Sequence, residues 1–587
     1  MSFYSIWGLT GGIYIKGIGV SSGIAIGRVF VDWKEQVEIE KEYVDDVEVE
    51  LDRLNAAIEV AGQEIKDLYD DVSSRLGRDE VEMFATHGMM IEDSEFIGQI
   101  KGRIITENVN AEWAVRSVAD KFIQVFEDMD DDYLKAKADD VKDVATRMCR
   151  LLLHIEGSDL SNLREKSIVV AKAFTASEIV QMNRDKVLGV VSQEGTLTSH
   201  AVIMARSWGV PAVIDVSNVL DVVETGDMIV VDGSEGVVIL NPDEDTLHIY
   251  SEKQREFVDF SKKLSQMAGK STESEDGYPI KLYANADTGR DVQGALKNGV
   301  SGIGLFRTER LYMDRDRLPT EGEQFGLYKK AVQEMGGKTV IFRTLDIGCD
   351  KIPGYLNVPD EDNPALGYRA IRLSLARADI FRIQLKALLR SSAFGKAKIM
   401  FPMISGIEEL RLAKGVLEDV KNDLRKDGVP FNPEIEVGVM IEVPAAAVVS
   451  DLIAEEVDFM SIGTNDLIQY TLAVDRTNRN LSHLFSPFHP AVLRLVKMTI
   501  DNCRKAGVKV SLCGEMASDS LLIPVLMGMG LERFSMNVDS ILKARWIISQ
   551  LGKKNMEDTL SEIWGLTTAK DVRRFCEDRF GSLKKAF

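Results

Sequence analysis

Gly302-Ile-Gly-Leu-Phe306-Arg307-Thr-Glu309 is a short apolar run that ends on an arginine and a carboxylate. A run too short for a helix and apolar throughout has the form of a strand covered on both faces, its charged end emerging where the sheet stops. The same unit recurs. Apolar runs at 280–284, 302–305, 340–343, 398–403, 437–442, 459–463, 508–513 and 533–535 alternate with helical stretches. Eight strand–helix alternations predict a (β/α)8 TIM barrel over residues 279–587.

Such barrels carry their chemistry at the carboxyl ends of the strands. Those ends read Phe306-Arg307-Thr-Glu309, Arg343-Thr-Leu-Asp346-Ile-Gly-Cys349-Asp-Lys351, Met440-Ile-Glu442, Gly463-Thr-Asn465-Asp466 and Leu512-Cys513-Gly-Glu515. The loops add Arg369 and Arg476. Arginine grips phosphate and carboxylate through two parallel hydrogen bonds, so this mouth predicts a pocket for several anionic groups. Glu442 and Asp466 are too few for a calcium cage but suit Mg²⁺, which keeps waters and takes further ligands from its substrate. One such residue alone would be an ordinary surface ion pair, worth about 0–1 kcal/mol. Their gathering at one end of successive strands predicts a site.

Upstream the grammar differs. Residues 13–31 and 168–240 are β-branched runs punctuated by glycine, while 37–156 is acidic, helical in period and nearly free of Gly and Pro. The expected organisation is therefore an α/β domain (1–36 plus 157–248) with an all-α domain (37–156) inserted, a linker (249–278), then the barrel. Within the α/β domain, Thr198-Ser199-His200 precedes a short helical stretch closed by Gly209 and Pro211. A helix start favours a bound anion, and a neutral imidazole there is a nucleophile near pH 7.

At 587 residues and 45% apolar content the chain supports several cores. A net charge of −22 excludes bulk nucleic-acid or anionic-membrane binding and favours a basic protein partner. The five cysteines lack zinc or disulfide spacing, no apolar run reaches a membrane span, and the N-terminus lacks signal-peptide character, so a cytoplasmic location is expected.

Taken together, Gly17-Ile-Gly-Val-Ser-Ser-Gly-Ile-Ala-Ile-Gly27, Gly302–Glu309, Arg343–Lys351, Gly463–Tyr470 and Leu512–Glu515 resemble the enzyme I family of the bacterial phosphoenolpyruvate-dependent sugar phosphotransferase system. The resemblance implies a swivelling phosphohistidine domain, a helical insert that binds the carrier protein HPr, and a phosphoenolpyruvate-binding barrel that forms homodimers. It makes His200 the phosphorylated residue, Cys513 the proton donor, and Glu442 and Asp466 the Mg²⁺ ligands. Arg307, Arg343, Asn465 and Arg476 match substrate contacts, with Arg369 and Lys351 beside them. Phe84, His87, Met89, Met90, Glu95 and Phe96 match the carrier-docking surface, an apolar patch rimmed by acids. One histidine serving two sites would require hinges, expected near Gly157, Asn241 and Ser274.

The chain departs from the family's Gly-Gly-Arg-Thr-Ser-His at Thr196 and Leu197, and carries Cys349 where glycine is usual. Those departures leave a non-catalytic phosphoenolpyruvate or carrier sensor as the alternative. A dikinase-like enzyme would need a nucleotide domain ahead of His200, for which residues 1–199 hold no Gly-rich loop.

Overall fold

The computed structural model describes all residues except 1–10, 33–38, 76–77, 128–131, 156–159, 161–162, 164, 176–177, 179–181, 196–201, 203–204, 206–207, 314, 316, 349–352, 357, 359–360, 477, 479 and 586–587. It divides into two compact units, Met1–Asp259 and Phe260–Phe587. Among the described residues no helix is long and apolar enough to cross a membrane.

The first unit holds one eight-stranded sheet, β1 (Ile13–Lys16), β2 (Ile18–Ser21), β3 (Ile24–Asp32), β4 (Ser167–Ala171), β5 (Val187–Ser192), β6 (Ala212–Ile214), β7 (Met228–Asp232) and β8 (Val237–Leu240), in the order β1-β8-β7-β3-β4-β5-β6-β2. The outermost strands, β1 and β2, are halves of a single segment broken at Gly17, so the sheet wraps round on itself. β1 pairs with β8 and β2 with β6, both antiparallel.

Glycines make that seam possible. A Cβ on Gly19 would lie 2.3 Å from the Gly233 carbonyl oxygen, and one on Gly233 only 1.9 Å from that of Ser21. No backbone can accept such an approach without moving. Gly233→Ala is expected to destabilise this unit by about 1–3 kcal/mol, the usual cost of forcing extra volume into packed structure. An unchanged thermal transition in the full chain would count against the seam.

Between β3 and β4 the described residues include the α-helices α1 (Val47–Arg75), α2 (Arg78–Glu92), α3 (Ser94–Glu107), α4 (Ala111–Glu127) and α5 (Asp132–Leu152). Local chemistry sets their ends. Asp93 caps α3 by accepting from the Phe96 N–H at 2.7 Å, and Asn108 closes it in the left-handed region. Leu54, Ile65, Ile100, Ile104, Val115 and Met148 meet in their shared core.

Helix α6 (Glu244–Ser265) follows β8 and runs across the boundary between the units. The expected linker of 249–278 is thus mostly helix, and its end belongs to the barrel. Strand β9 (Thr272–Glu273) pairs antiparallel with the start of β10 (Pro279–Ala286). Ser274 exchanges hydrogen bonds with Tyr278 at 2.9 Å, and the Glu275 N–H donates to Leu551 O at 2.9 Å. Ser274 is therefore fastened rather than hinged. Sequence composition suggested a hinge there because serine and glutamate are common in open linkers.

The second unit continues with β11 (Gly302–Phe306), β12 (Thr339–Arg343), β13 (Ala397–Phe401), β14 (Val437–Ile441), β15 (Phe459–Ile462), β16 (Lys509–Leu512) and β17 (Arg533–Met536). Each pairs in parallel with the next, and β10 pairs with both β11 and β17, which closes an eight-stranded barrel. Every residue of β11, β14 and β15 is buried, as strands with covered faces must be.

Candidate active site

The carboxyl ends of β11, β12, β14 and β15 deliver a buried lattice of alternating charges. Arg343, the last residue of β12, places Nη2 3.2 Å from Glu309 Oε1 and Nη1 2.9 Å from Asp346 Oδ2. Asp346 turns its other oxygen to Arg369 Nη2 at 3.0 Å, and Arg369 Nη1 reaches Asp466 Oδ1 at 3.1 Å and the Tyr470 hydroxyl at 3.1 Å. One aspartate thus bridges two guanidiniums, and one guanidinium bridges two aspartates.

Burial alone would favour the neutral forms of all these groups. It acts against the charge on Arg343, Arg369 and Asp346. Glu309 and Asp346 nevertheless hold Arg343 well above the usual arginine value, and Asp346 and Asp466 do the same for Arg369. Arg343 and Arg369 in turn hold Asp346 below the usual carboxylate value. Glu309 goes the other way, because burial outweighs the attraction of Arg343 and raises its carboxyl.

Glu442 follows β14 and is almost fully buried. Its Oε1 accepts from the Met403 N–H at 2.7 Å. Burial, with Asp466 and Asp346 nearby, pushes this carboxyl up to about 8. Met403 and Ala370 flank the site with φ of 54° and 53°, left-handed conformations that side-chain-bearing residues adopt at a cost. Among the described residues no three or more His, Cys, Asp and Glu side chains converge as a metal cluster; the carboxylates Glu442 and Asp466 stand as a pair.

The lattice is incomplete in hydrogen bonds. Glu309 Oε2, Arg343 Nε, Thr344 Oγ1, Glu442 Oε2 and Thr464 Oγ1 are all buried with no hydrogen-bond partner among the described residues. Buried polar atoms are almost always satisfied, so five orphans at neighbouring strand ends mark a place built for a polar ligand.

Cys513 lies one residue past β16, buried, its thiol 3.6 Å from Ile462 O. Burial raises its thiol and keeps the proton on sulfur. Arg307 pairs with Asp287 at 3.2 Å and is near enough to Cys513 to oppose that rise. Asn465 and Glu515 hold one another: Asn465 Nδ2 donates to Glu515 Oε1, and the Glu515 N–H donates to Asn465 Oδ1, both at 3.1 Å. Arg476 is exposed, with its charge felt at Asp346. Lys351 lies outside the described residues, as does Cys349.

Glu309, Asp346 and Tyr470 belong to this site although the strand-end reading did not single them out as site residues. Glu309 and Asp346 stand within the motifs that drew attention to Arg307 and Arg343, three residues or fewer from each. Nothing in sequence distinguishes a carboxylate that clamps an arginine from one on the surface.

In the first unit, His200 and the preceding Thr196, Leu197, Thr198 and Ser199 lie outside the described residues. Beyond them Val202, Ala205 and Trp208 are each helical and buried.

The expected carrier-docking set needs correction. Phe84, His87 and Phe96 are buried rather than presented at the surface. His87 Nε2 sits 3.1 Å from Asp140 Oδ1 and its Nδ1 4.0 Å from Asp143 Oδ2, both on α5. Helical period identifies a face but not which partner covers it. Met89 is 71% exposed, Glu95 is exposed and Met90 half-buried, leaving these three able to meet another protein.

Comparison with known proteins adds a lineage to this geometry. Residues 16–137 match the family described as PEP-utilising enzyme, N-terminal; 163–236 match PEP-utilising enzyme, mobile domain; and 261–552 match PEP-utilising enzyme, PEP-binding domain. The phosphoenolpyruvate-protein phosphotransferase of Priestia megaterium is 46% identical over 566 residues, covering 96% of this chain and 99% of its own. That of Bacillus subtilis is 43% identical with the same coverage. That of Staphylococcus aureus is 44% identical, covering 95% of this chain and 98% of its own.

Proposed function

Since this chain belongs to the phosphoenolpyruvate-protein phosphotransferase family, we propose how its own residues divide that reaction. It is a transferase that moves a phosphoryl group from phosphoenolpyruvate to a phosphocarrier protein. In our reading the substrate's phosphate and carboxylate lie against Arg307, Arg343, Arg369, Asn465, Arg476 and Lys351. His200 attacks phosphorus, the bridging oxygen departs with its electron pair as enolate, and Cys513 protonates carbon 3 to give pyruvate. Phosphohistidine then passes its phosphoryl group to a histidine of an HPr-like carrier, the first step of sugar uptake.

The observation that carries this reading is the buried arginine–carboxylate lattice with its five unsatisfied polar atoms, since fixed guanidiniums can neutralise a transferring phosphoryl group without reorganising. Glu442 and Asp466 would hold Mg²⁺; the unpartnered Glu442 Oε2 suits an ion that takes few carboxylates. When bound, the ion would supply Lewis-acid stabilisation of the substrate's oxygens. A non-catalytic sensor would have no use for a buried thiol beside the arginines, and the named relatives are transferases. A cytoplasmic location and homodimerisation through the barrel complete the proposal, the latter to be tested by sedimentation.

Incubation with Mg²⁺ and radiolabelled phosphoenolpyruvate should place acid-labile label on the wild type and none on His200→Ala. Purified HPr should remove it, with pyruvate released. Phosphoenolpyruvate binding without any label would defeat the catalytic reading. Docking has its own expected outcome: Glu95→Lys and Met89→Ala should weaken carrier binding at unchanged melting temperature. His87→Ala should instead cost about 1–3 kcal/mol of stability, because it removes a buried ring and the hydrogen bond it makes to Asp140, which keeps Lys137 as an ion-pair partner. A His87→Ala chain as stable as wild type would restore that residue to the docking surface.

A further inference from the structure

The interior of the barrel is apolar on one side and polar on the other. Leu305, Ile341, Met400, Met440 and Phe459 pack with the Cys513 side chain. On the four consecutive strands β15, β16, β17 and β10 stand Ser461, Ser511, Ser535 and Asn285, all buried. Barrel interiors are normally filled by branched aliphatic side chains, so this quadrant requires a reason.

Its hydrogen bonds lead to one place. Ser535 Oγ donates to Asn285 Oδ1 at 2.7 Å, and Asn285 Nδ2 donates to the Cys513 carbonyl at 3.0 Å. A carbonyl only accepts, so the orientation of the amide is fixed by chemistry. Cys513 has left the ladder here, since Leu512 is the last residue of β16 in register with β17. Asn285 reaches past β17 to hold a carbonyl that β17 no longer pairs. On its other flank Gly514 is wedged against Thr464, where a Cβ would lie 1.9 Å from Oγ1. The Cys513 N–H donates to Ile462 O at 3.1 Å, the carbonyl toward which the thiol also points. Ser511 and Ser461 bond to each other at 3.1 Å in the layer beneath, and Ser461 also bonds the thiol.

We propose that Asn285, oriented by Ser535, is a positioning residue that fixes the Cys513 thiol so that its proton reaches one face of the enolate. This rests on Cys513 being the proton donor. In that step the S–H bond breaks, the enolate's π pair forms the new C3–H bond, and C2–O closes to the carbonyl of pyruvate. The thiolate regains a proton from solvent. A misplacement of about 1 Å at such a step can cost on the order of a hundredfold in rate.

The test uses the full chain with Mg²⁺ and HPr, and phosphoenolpyruvate stereospecifically tritiated at carbon 3, in D2O. The handedness of the pyruvate methyl group then reports the face protonated. Asn285→Ala should lower kcat about 10–100-fold with KM for phosphoenolpyruvate within about twofold, and should erode that handedness. Ser535→Ala should do the same more weakly, and Ser535→Thr, which keeps the hydroxyl, should restore it. If Asn285→Ala does not fold, the two Ser535 variants decide. Full handedness in both alanine variants, at whatever kcat, would make the polar quadrant merely structural and overturn the proposal. Cys513→Ala separates the two ideas. Retained handedness there would remove the proton-donor reading itself; handedness lost there but kept in Asn285→Ala would remove only the positioning role.

Discussion

Arg369→Met will eliminate turnover and weaken the barrel in the same stroke. Arg369 is the only described contact that joins Asp346 to Asp466, at 3.0 and 3.1 Å, and it is 8% exposed. Taking it away leaves Asp466 without the guanidinium it faces, and leaves Asp346 and Glu442 with Arg343 as their nearby positive charge. Removing one partner from a buried ion pair costs about 3–5 kcal/mol, because the charge left behind cannot return to water. That loss will read as a drop of several degrees in the barrel's melting temperature. The effect on catalysis will be larger, since Asp346 loses one of its two clamps and then pulls on Arg343 alone; kcat/KM should fall by about a thousandfold or more, equivalent to about 4 kcal/mol. Arg369→Lys should rescue little of either quantity. An ammonium can meet one carboxylate as a point charge but cannot span two at fixed angles. Calorimetry and steady-state kinetics on both variants check this, and a lysine variant close to wild type in both would show that the lattice matters only through its net charge.

The second large effect concerns pH. Glu442 is pushed up to about 8 by burial and by Asp466 and Asp346, from an ordinary 4.5. A carboxyl raised on folding keeps in the folded chain a proton that the unfolded chain releases. Its contribution to stability is therefore complete below pH 4.5 and disappears as pH rises through about 8. The metal-free chain should lose on the order of a few kcal/mol across that window. Glu442→Gln, which cannot ionise, should flatten the loss. If Mg²⁺ binds Glu442 as proposed, it would compete with the proton for the same oxygens, so its affinity should climb up to tenfold per pH unit and level off above pH 8, with up to one proton released per ion near neutrality. Melting curves of metal-free chain against pH, and titration calorimetry in buffers of different ionisation heat, measure the two halves. A wild type whose stability does not fall from pH 5 to 8, and which Glu442→Gln leaves unchanged in slope, would mean that Glu442 is ionised throughout.

The barrel was legible because strands covered on both faces must be apolar from end to end, and charges at 307, 343, 442 and 466 therefore mark where each strand stops. The arginines and the metal-type carboxylates could be listed for the same reason. Their pairing could not. Asp346 clamps Arg343 three residues away and Arg369 twenty-three away, and only the curvature of the barrel brings those distances to a common point. Asn285 was missed because an amide in an apolar run reads as a defect until its partner, 228 residues distant, is known. On the insert the failure ran the other way. The apolar spacing of Phe84, His87 and Phe96 is that of a buried face, and the partner that buries His87 is Asp140, on a helix whose approach no local pattern announces.

The glycine seam at 17, 19 and 233 has a consequence for traffic. Exposed strand rims are templates on which a second chain can crystallise, and proteins usually blunt them with charge, proline or an overlying helix. A sheet whose two rims are halves of one segment offers only a pair of four-residue stubs at a kink. A body built this way can be left bare in a crowded cell without being zipped onto its neighbours. If this unit carries phosphohistidine between a donor and an acceptor, as proposed above, that is freedom to be unaccompanied in transit.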